Sequence, residues 1–152
     1  IRAKLNALSD PTVIAALYDA SRAGVEIDLV VRGICCLRPG VPEVSESIRV
    51  RSILGRFLEH ARVYHFHADG QDLVFTASAD WMDRNLNRRV EVAVPIIDEP
   101  LKRRVTSEAI DLALEDNSNA WALDQDGTYH RVIPGENEPQ HLQTRLLDRL
   151  KD

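Results

Sequence analysis

Residues Val25 to Val31, Val-Glu-Ile-Asp-Leu-Val-Val, constrain the fold of this chain more than any other stretch. A short β-branched apolar run of this kind has the composition of a strand buried on both faces, which requires a layer of structure on each side. Upstream, Ile1-Arg2-Ala3-Lys4-Leu5-Asn6 alternates apolar and polar residues as a strand does. Between the two, Asp10 can cap a helix and Pro11 suits its first position. Val13, Ile14, Leu17 and Tyr18 then recur at helical spacing, and Gly24 is placed to end the helix. Strand, helix, strand over Ile1 to Val31 is a βαβ unit, which predicts a parallel pair with a right-handed crossover.

Downstream, Leu37 to Ser47 holds two prolines and a glycine and reads as an irregular loop. Ile48 to Ile53 alternates and predicts a short strand, and Gly55 to Glu59 reads as a helical turn leading to His60. Ala61 to His67 and Leu73 to Thr76 predict a hairpin turning at Ala68-Asp69-Gly70. Ser78 to Arg89 reads as polar and irregular, and Val90 to Ile96 as a further apolar strand. Asp98-Glu99-Pro100 starts a second helix whose apolar face, Leu101, Val105, Ile110, Leu112, Ala113 and Leu114, is imperfectly spaced through Glu115. After a break at Asn117-Ser118-Asn119, Trp121 to Leu123 and Tyr129 to Ile133 predict a hairpin around Asp126-Gly127. The expected fold is α/β, a mixed β-sheet flanked by helices. No boundary divides it, so residues 1–152 are read as one domain, with 135–152 as a loosely attached helical tail carrying Leu142, Leu146, Leu147 and Leu150.

Composition narrows the function classes. A net charge of -5 argues against a protein whose main work is to coat nucleic acid, and no apolar run approaches the roughly 20 residues of a membrane helix. Cys35 and Cys36 are adjacent, a poor geometry for a disulfide, so free thiols and a cytoplasmic setting are expected. The chain opens directly on a strand without an initiator Met, and a piece of a longer protein is expected.

Arg32-Gly33 falls where the buried strand runs out, and open α/β sheets bind ligands beyond the carboxyl ends of their strands. A guanidinium there matches phosphate or carboxylate, and Gly33 allows a sharp turn and leaves room for a ligand to approach. The competing reading is that Arg32 only pairs with a carboxylate at the strand end. His60, at another junction, either serves as a structural histidine or handles phosphate by proton donation or as a cation. Glu59 beside it is a candidate to hold its imidazolium. Arg84, Arg88 and Arg89 are candidates for trailing phosphates, whereas Lys102-Arg103-Arg104 reads as a solvated helix face and Trp81 as core. His65 and His67 share a strand face, but no carboxylate or cysteine nearby in sequence completes a metal-ligand set, so no metal ligands are assigned. Asp124-Gln125-Asp126-Gly127 reads as a turn and lacks the remaining ligands of a calcium loop.

Val31-Arg32-Gly33-Ile34-Cys35, Arg56-Phe57-Leu58-Glu59-His60, Ser78-Ala79-Asp80-Trp81-Met82 and Arg84-Asn85, with Lys4 to Leu8, resemble the last catalytic domain of type 1 polyphosphate kinases in order and spacing. The resemblance covers most of Ile1 to Pro134. It implies an enzyme that reversibly moves the terminal phosphate of ATP onto inorganic polyphosphate, with Mg2+ and through a phosphohistidine in the preceding domain. It also implies a phospholipase D-like half, and a homo-oligomer for the full-length enzyme. Nothing here matches the motif around the phosphorylated histidine or the residue that stacks on adenine. Arg32 and His60 fall on the two triphosphate-contacting positions of this domain, which makes His60 the candidate catalytic residue and both the candidates for binding ATP phosphates. His60-Ala61-Arg62 stands where the superfamily has His-x-Lys, and Ser78 and Asp80 stand near its Gly-Ser-x-Asn, so the roles of Arg62, Ser78 and Asp80 are left open, as is that of Arg88. Two alternatives remain: a phospholipase D-like phosphodiesterase or nuclease half-domain, and a polyphosphate-binding module without catalysis.

Overall fold

The computed structural model describes residues 1–151, with strands β1 (Arg2–Leu5), β2 (Ile27–Val31), β3 (Ile48–Ile53), β4 (Val63–Ala68), β5 (Gln71–Ala77), β6 (Ala93–Pro95), β7 (Ala120–Leu123) and β8 (Tyr129–Arg131). They form one eight-stranded sheet in the order β6-β5-β4-β1-β2-β3-β7-β8. β1, β2 and β3 are mutually parallel, and every other pairing is antiparallel. The βαβ unit is present as expected, with α1 (Pro11–Arg22) crossing between β1 and β2. Asp10 caps α1 by accepting from the amides of Thr12 and Val13, and Gly24, at φ +85°, follows its end.

β2 is buried on both faces, as its composition predicts. Ile27, Leu29 and Val31 join Leu5, Leu17, Ile48 and Val50 beneath α1, while Val30 faces a second core with Ile53, Leu112, Ala113 and Leu142. That second layer comes from α3 (Glu99–Thr106), a π turn at Ser107–Asp111, α4 (Leu112–Glu115) and α5 (Leu142–Arg149). The π turn is the physical cause of the imperfect spacing: its extra residue re-phases the rod so that Ile110, Leu112 and Ala113 are all buried.

Four expectations need correction. The tail is docked, because Leu142 is fully buried and its amide donates to Asp116 Oδ2 at 2.8 Å. Gly55 to Glu59 forms no helical turn; its hydrogen bonds go to side chains. The strand expected over Val90 to Ile96 shrinks to β6 at the sheet edge, where Val90, Val92 and Val94 are exposed. Within the stretch read as irregular, Asp83–Arg88 forms the short helix α2. No helix among the described residues is long and apolar enough to cross a membrane.

Candidate functional site

Because β1, β2 and β3 run parallel, their carboxyl ends lie on one edge of the sheet; antiparallel β4 begins there and β5 ends there. Topology therefore delivers Asn6, Arg32, the segment His60 to Arg62 and the segment Ser78 to Asp80 to one place. Backbone bonds extend the ladder past the strands, from Arg32 N to Leu5 O at 3.1 Å, Gly33 N to Asn6 O at 2.9 Å and Trp81 N to Ala7 O at 3.1 Å. A cavity of about 610 Å³ opens at this edge, lined among others by Asn6, Arg32, His60, Arg62, Asp80 and Arg84.

Arg32 has no carboxylate partner among the described residues, and its Nε is buried without a hydrogen-bond partner. The strand-end ion pair held open in the sequence is thus not what Arg32 makes. Gly33 differs from expectation. Its φ is not left-handed, and a Cβ there would sit 3.1 Å from Asn6 O, so close packing of two backbones rather than a sharp turn calls for glycine.

Arg62 is held by a fork: Nε donates to Asp80 Oδ1 at 3.1 Å and Nη2 to Oδ2 at 2.9 Å. Asp80 also accepts from Asn6 N at 2.7 Å and Ala7 N at 3.3 Å, which ties it to the end of β1. Burial pushes the Asp80 carboxyl up, but the Arg62 guanidinium and these amides more than offset that and bring it below the usual carboxylate range. The same fork raises the pKa of Arg62. From this anchored position Arg62 Nη1 lies 3.1 Å from His60 Nδ1, and Nη2 lies 3.4 Å from Nε2. Nη1 also donates to His60 O at 3.2 Å, so one guanidinium holds both the backbone and the ring of His60 at the cavity. Exposed to the cavity, the imidazole can offer a ring N–H to an anionic oxygen.

Glu59 does not hold His60. It pairs with Lys4, whose side chain emerges buried from β1, and accepts from Gln143. Ser78 donates to Glu91 and accepts from Val92 N, so its hydroxyl is committed. Arg84 and Arg89 line the cavity, whereas Arg88 pairs with Asp83 at 2.8 Å and does not. Trp81 is core, stacked on Tyr64 at 5.0 Å between centroids. Arg104 pairs with Glu108 on the helix surface, whereas Lys102, expected on that solvated face, pairs with Glu99 with its side chain only 14% exposed. Asp124 to Gly127 closes a turn, Gly127 N to Asp124 O at 2.9 Å. For His65 and His67 the expectation missed a partner across the hairpin: both contact Asp72 Oδ1, at 2.6 and 2.9 Å.

Glu91 and Asn85 were not given roles from the sequence, yet Glu91 accepts from Asn85 Nδ2 at 2.6 Å at the cavity wall. Asn6, whose buried Nδ2 is unpartnered, was visible only as part of a matching block. No periodicity or motif spacing marks a residue that reaches its partner across a sheet edge.

The model of the family described as polyphosphate kinase C-terminal domain 2 matches residues 1–143. The chain belongs to this family. It is 64% identical over 134 residues, 88% of the chain, to a polyphosphate kinase of Burkholderia ambifaria (strain MC40-6), covering 20% of that protein. It is 57% identical over 152 residues, 99% of the chain, to the polyphosphate kinase of Neisseria gonorrhoeae (strain ATCC 700825 / FA 1090), covering 22% of it. The crystal structure of polyphosphate kinase from Porphyromonas gingivalis superposes with a TM-score of 0.93 at 42% identity, over 99% of this chain and 23% of that one. The chain thus spans about a fifth of the length of its polyphosphate kinase relatives. The α/β fold with its mixed sheet and flanking helices is the phospholipase D-like fold of this polyphosphate kinase domain, and the resemblance seen in the motif blocks has its counterpart along nearly the whole chain.

Proposed function

We propose that this chain is the phosphate-binding part of a longer polyphosphate kinase, which moves the terminal phosphate of ATP reversibly onto inorganic polyphosphate. In this reading the phosphohistidine intermediate forms in a preceding domain, and Arg32 and His60 receive the phosphate chain from this side. The supporting observation is the unpaired guanidinium of Arg32 at the end of β2, opening on the same cavity as His60, Arg62, Arg84 and Arg89. Phosphoryl transfer needs its spreading charge balanced and its oxygens held in line, work that fixed cations and N–H donors can do without covalent chemistry here. Arg32 stays charged at any working pH, and its planar fork suits two oxygens at once. A ring N–H of His60, on the same cavity, can donate a third bond.

Magnesium fits poorly among these residues. The cavity carboxylates Asp80 and Glu91 are already engaged by Arg62, the amides of Asn6 and Ala7, Ser78 and Asn85. The metal is therefore assigned to ATP itself and to groups outside this chain. The phospholipase D-like phosphodiesterase alternative is disfavoured because the residue in the lysine position, Arg62, is bound up with Asp80.

The test is polyphosphate synthesis by the full-length enzyme. A charge-assisted hydrogen bond contributes about 1.5–3 kcal/mol, so Arg32→Ala is expected to lower kcat/KM for ATP roughly ten- to a hundredfold. Arg32→Lys is expected to recover only part, because an ammonium cannot reproduce the fork. Full activity of a correctly folded Arg32→Ala enzyme, checked by its melting curve, would place the site elsewhere.

A further inference from the structure

Gln143, the second residue of α5, lies over the loop that leads into His60. Its Oε1 accepts from Phe57 N at 2.9 Å, and its Nε2 donates to Phe57 O at 2.8 Å and to Glu59 Oε1 at 3.0 Å. One primary amide thus satisfies both backbone groups of a residue that belongs to no strand or helix. Phe57 and Leu58 are exposed, so hydrogen bonds rather than burial hold this segment in place.

Two further features fit that arrangement. The start of α5 is fixed in the core, since Leu142 is buried and Asp116, which accepts its amide, also accepts from Ser118 N and Asn119 N. Opposite Gln143 the chain has Gly55, where a Cβ would lie 2.5 Å from Gln143 Cδ and 2.8 Å from Nε2. Gly55 does not adopt a left-handed φ, so glycine serves there to make room and not to turn the chain. A rigid connection therefore runs from the second core through Gln143 to Phe57 and Glu59, ending one residue before His60.

We propose that Gln143 is a positioning residue for His60: the helix read from sequence as a loose tail clamps the loop and sets where the imidazole stands relative to Arg32. The inference rests on the reading of His60 as a phosphate-handling group, and the experiment separates the two. In the full-length enzyme, Gln143→Met keeps bulk and length but makes none of these hydrogen bonds. Gly55→Ala leaves Gln143 intact but drives its flexible amide off Phe57. Each is expected to lower kcat/KM for ATP in polyphosphate synthesis roughly tenfold, within the effect that the lost hydrogen bonds can express. Each is also expected to speed amide exchange at Phe57 while barely moving the melting temperature. The Gly55→Ala/Gln143→Met double variant is expected to be no worse than either single one, because both act on one clamp. In a His60→Ala background, Gln143→Met is expected to add nothing.

Additive losses in the double variant, or faster exchange at Phe57 with wild-type kinetics, would overturn the positioning role. A fully active His60→Ala enzyme would instead overturn the functional reading on which it stands.

Discussion

Asp80 organises the site through its neighbours. Its two oxygens collect the Arg62 fork and the amides of Asn6 and Ala7, so one carboxylate joins the end of β1, the end of β5 and the residue that orients His60. Both side chains of the pair are buried, with relative exposures of 10% for Arg62 and 6% for Asp80. Removing one partner leaves a buried charge uncompensated, and Asp80→Asn is expected to cost about 3 kcal/mol at neutral pH by denaturant titration. The pH dependence follows from the lowered carboxyl pKa in the folded state. Such a group contributes fully above its unfolded value, roughly 3.9, and loses the contribution as pH falls through the lower folded value. The stability gap between wild type and Asp80→Asn is therefore expected to narrow below about pH 4; a gap unchanged down to pH 2 would mean that the charge on Asp80 does not matter. The place of Arg32 at the carboxyl edge of the sheet was legible because the strand before it is so clearly marked, and His60 was legible as a residue at an element junction. The Arg62–Asp80 fork was not, since it depends on side-chain direction across strands. Glu59 was misassigned for the same reason: its partner, Lys4, comes from a strand far away in sequence.

Among the elements, β1, α1 and β2 were readable because apolar period, cap chemistry and the strand–helix–strand order agreed. α5 was read correctly as a helix and wrongly as loose. Its leucine pattern gives a face, but nothing in the pattern says which surface that face meets. In the structure Leu142 fills the core with Val30 and Ile53, while Leu150 is 62% exposed. Leu142→Asp and Leu29→Asp are accordingly both expected to be severely destabilising, by at least about 4 kcal/mol, since each buries an unpaired charge. Leu150→Asp, on the same helix, is expected to stay within about 0.5 kcal/mol of wild type. Urea midpoints of the three variants decide it: a mild Leu142→Asp would mean that α5 is dispensable to the core. The edge strand β6 shrank for a different reason, because exposed valines carry strand propensity without a neighbouring strand to pair the rest of the segment.

At the scale of the molecule, a chain of net charge -5 gathers four arginines around one cavity at the carboxyl edge of its central strands. In the proposed function such a cavity is expected to attract a polyanion locally although the whole molecule would repel it, and salt to weaken that attraction. Holding phosphate is nevertheless different from transferring it. A nucleophilic histidine needs an unprotonated nitrogen facing the phosphorus, whereas here both ring nitrogens of His60 lie within 3.4 Å of the Arg62 guanidinium. In the function proposed above, the phosphorylated histidine belongs to a preceding domain. The isolated chain is therefore expected to carry out no phosphoryl transfer: incubated with labelled ATP, magnesium and polyphosphate, it should remain unlabelled and leave the polymer no longer. The full-length enzyme, assayed in parallel, is expected to lengthen it. An acid-labile label that forms on the isolated chain and disappears in His60→Ala would make His60 the nucleophile and overturn its role as a group that only binds phosphate.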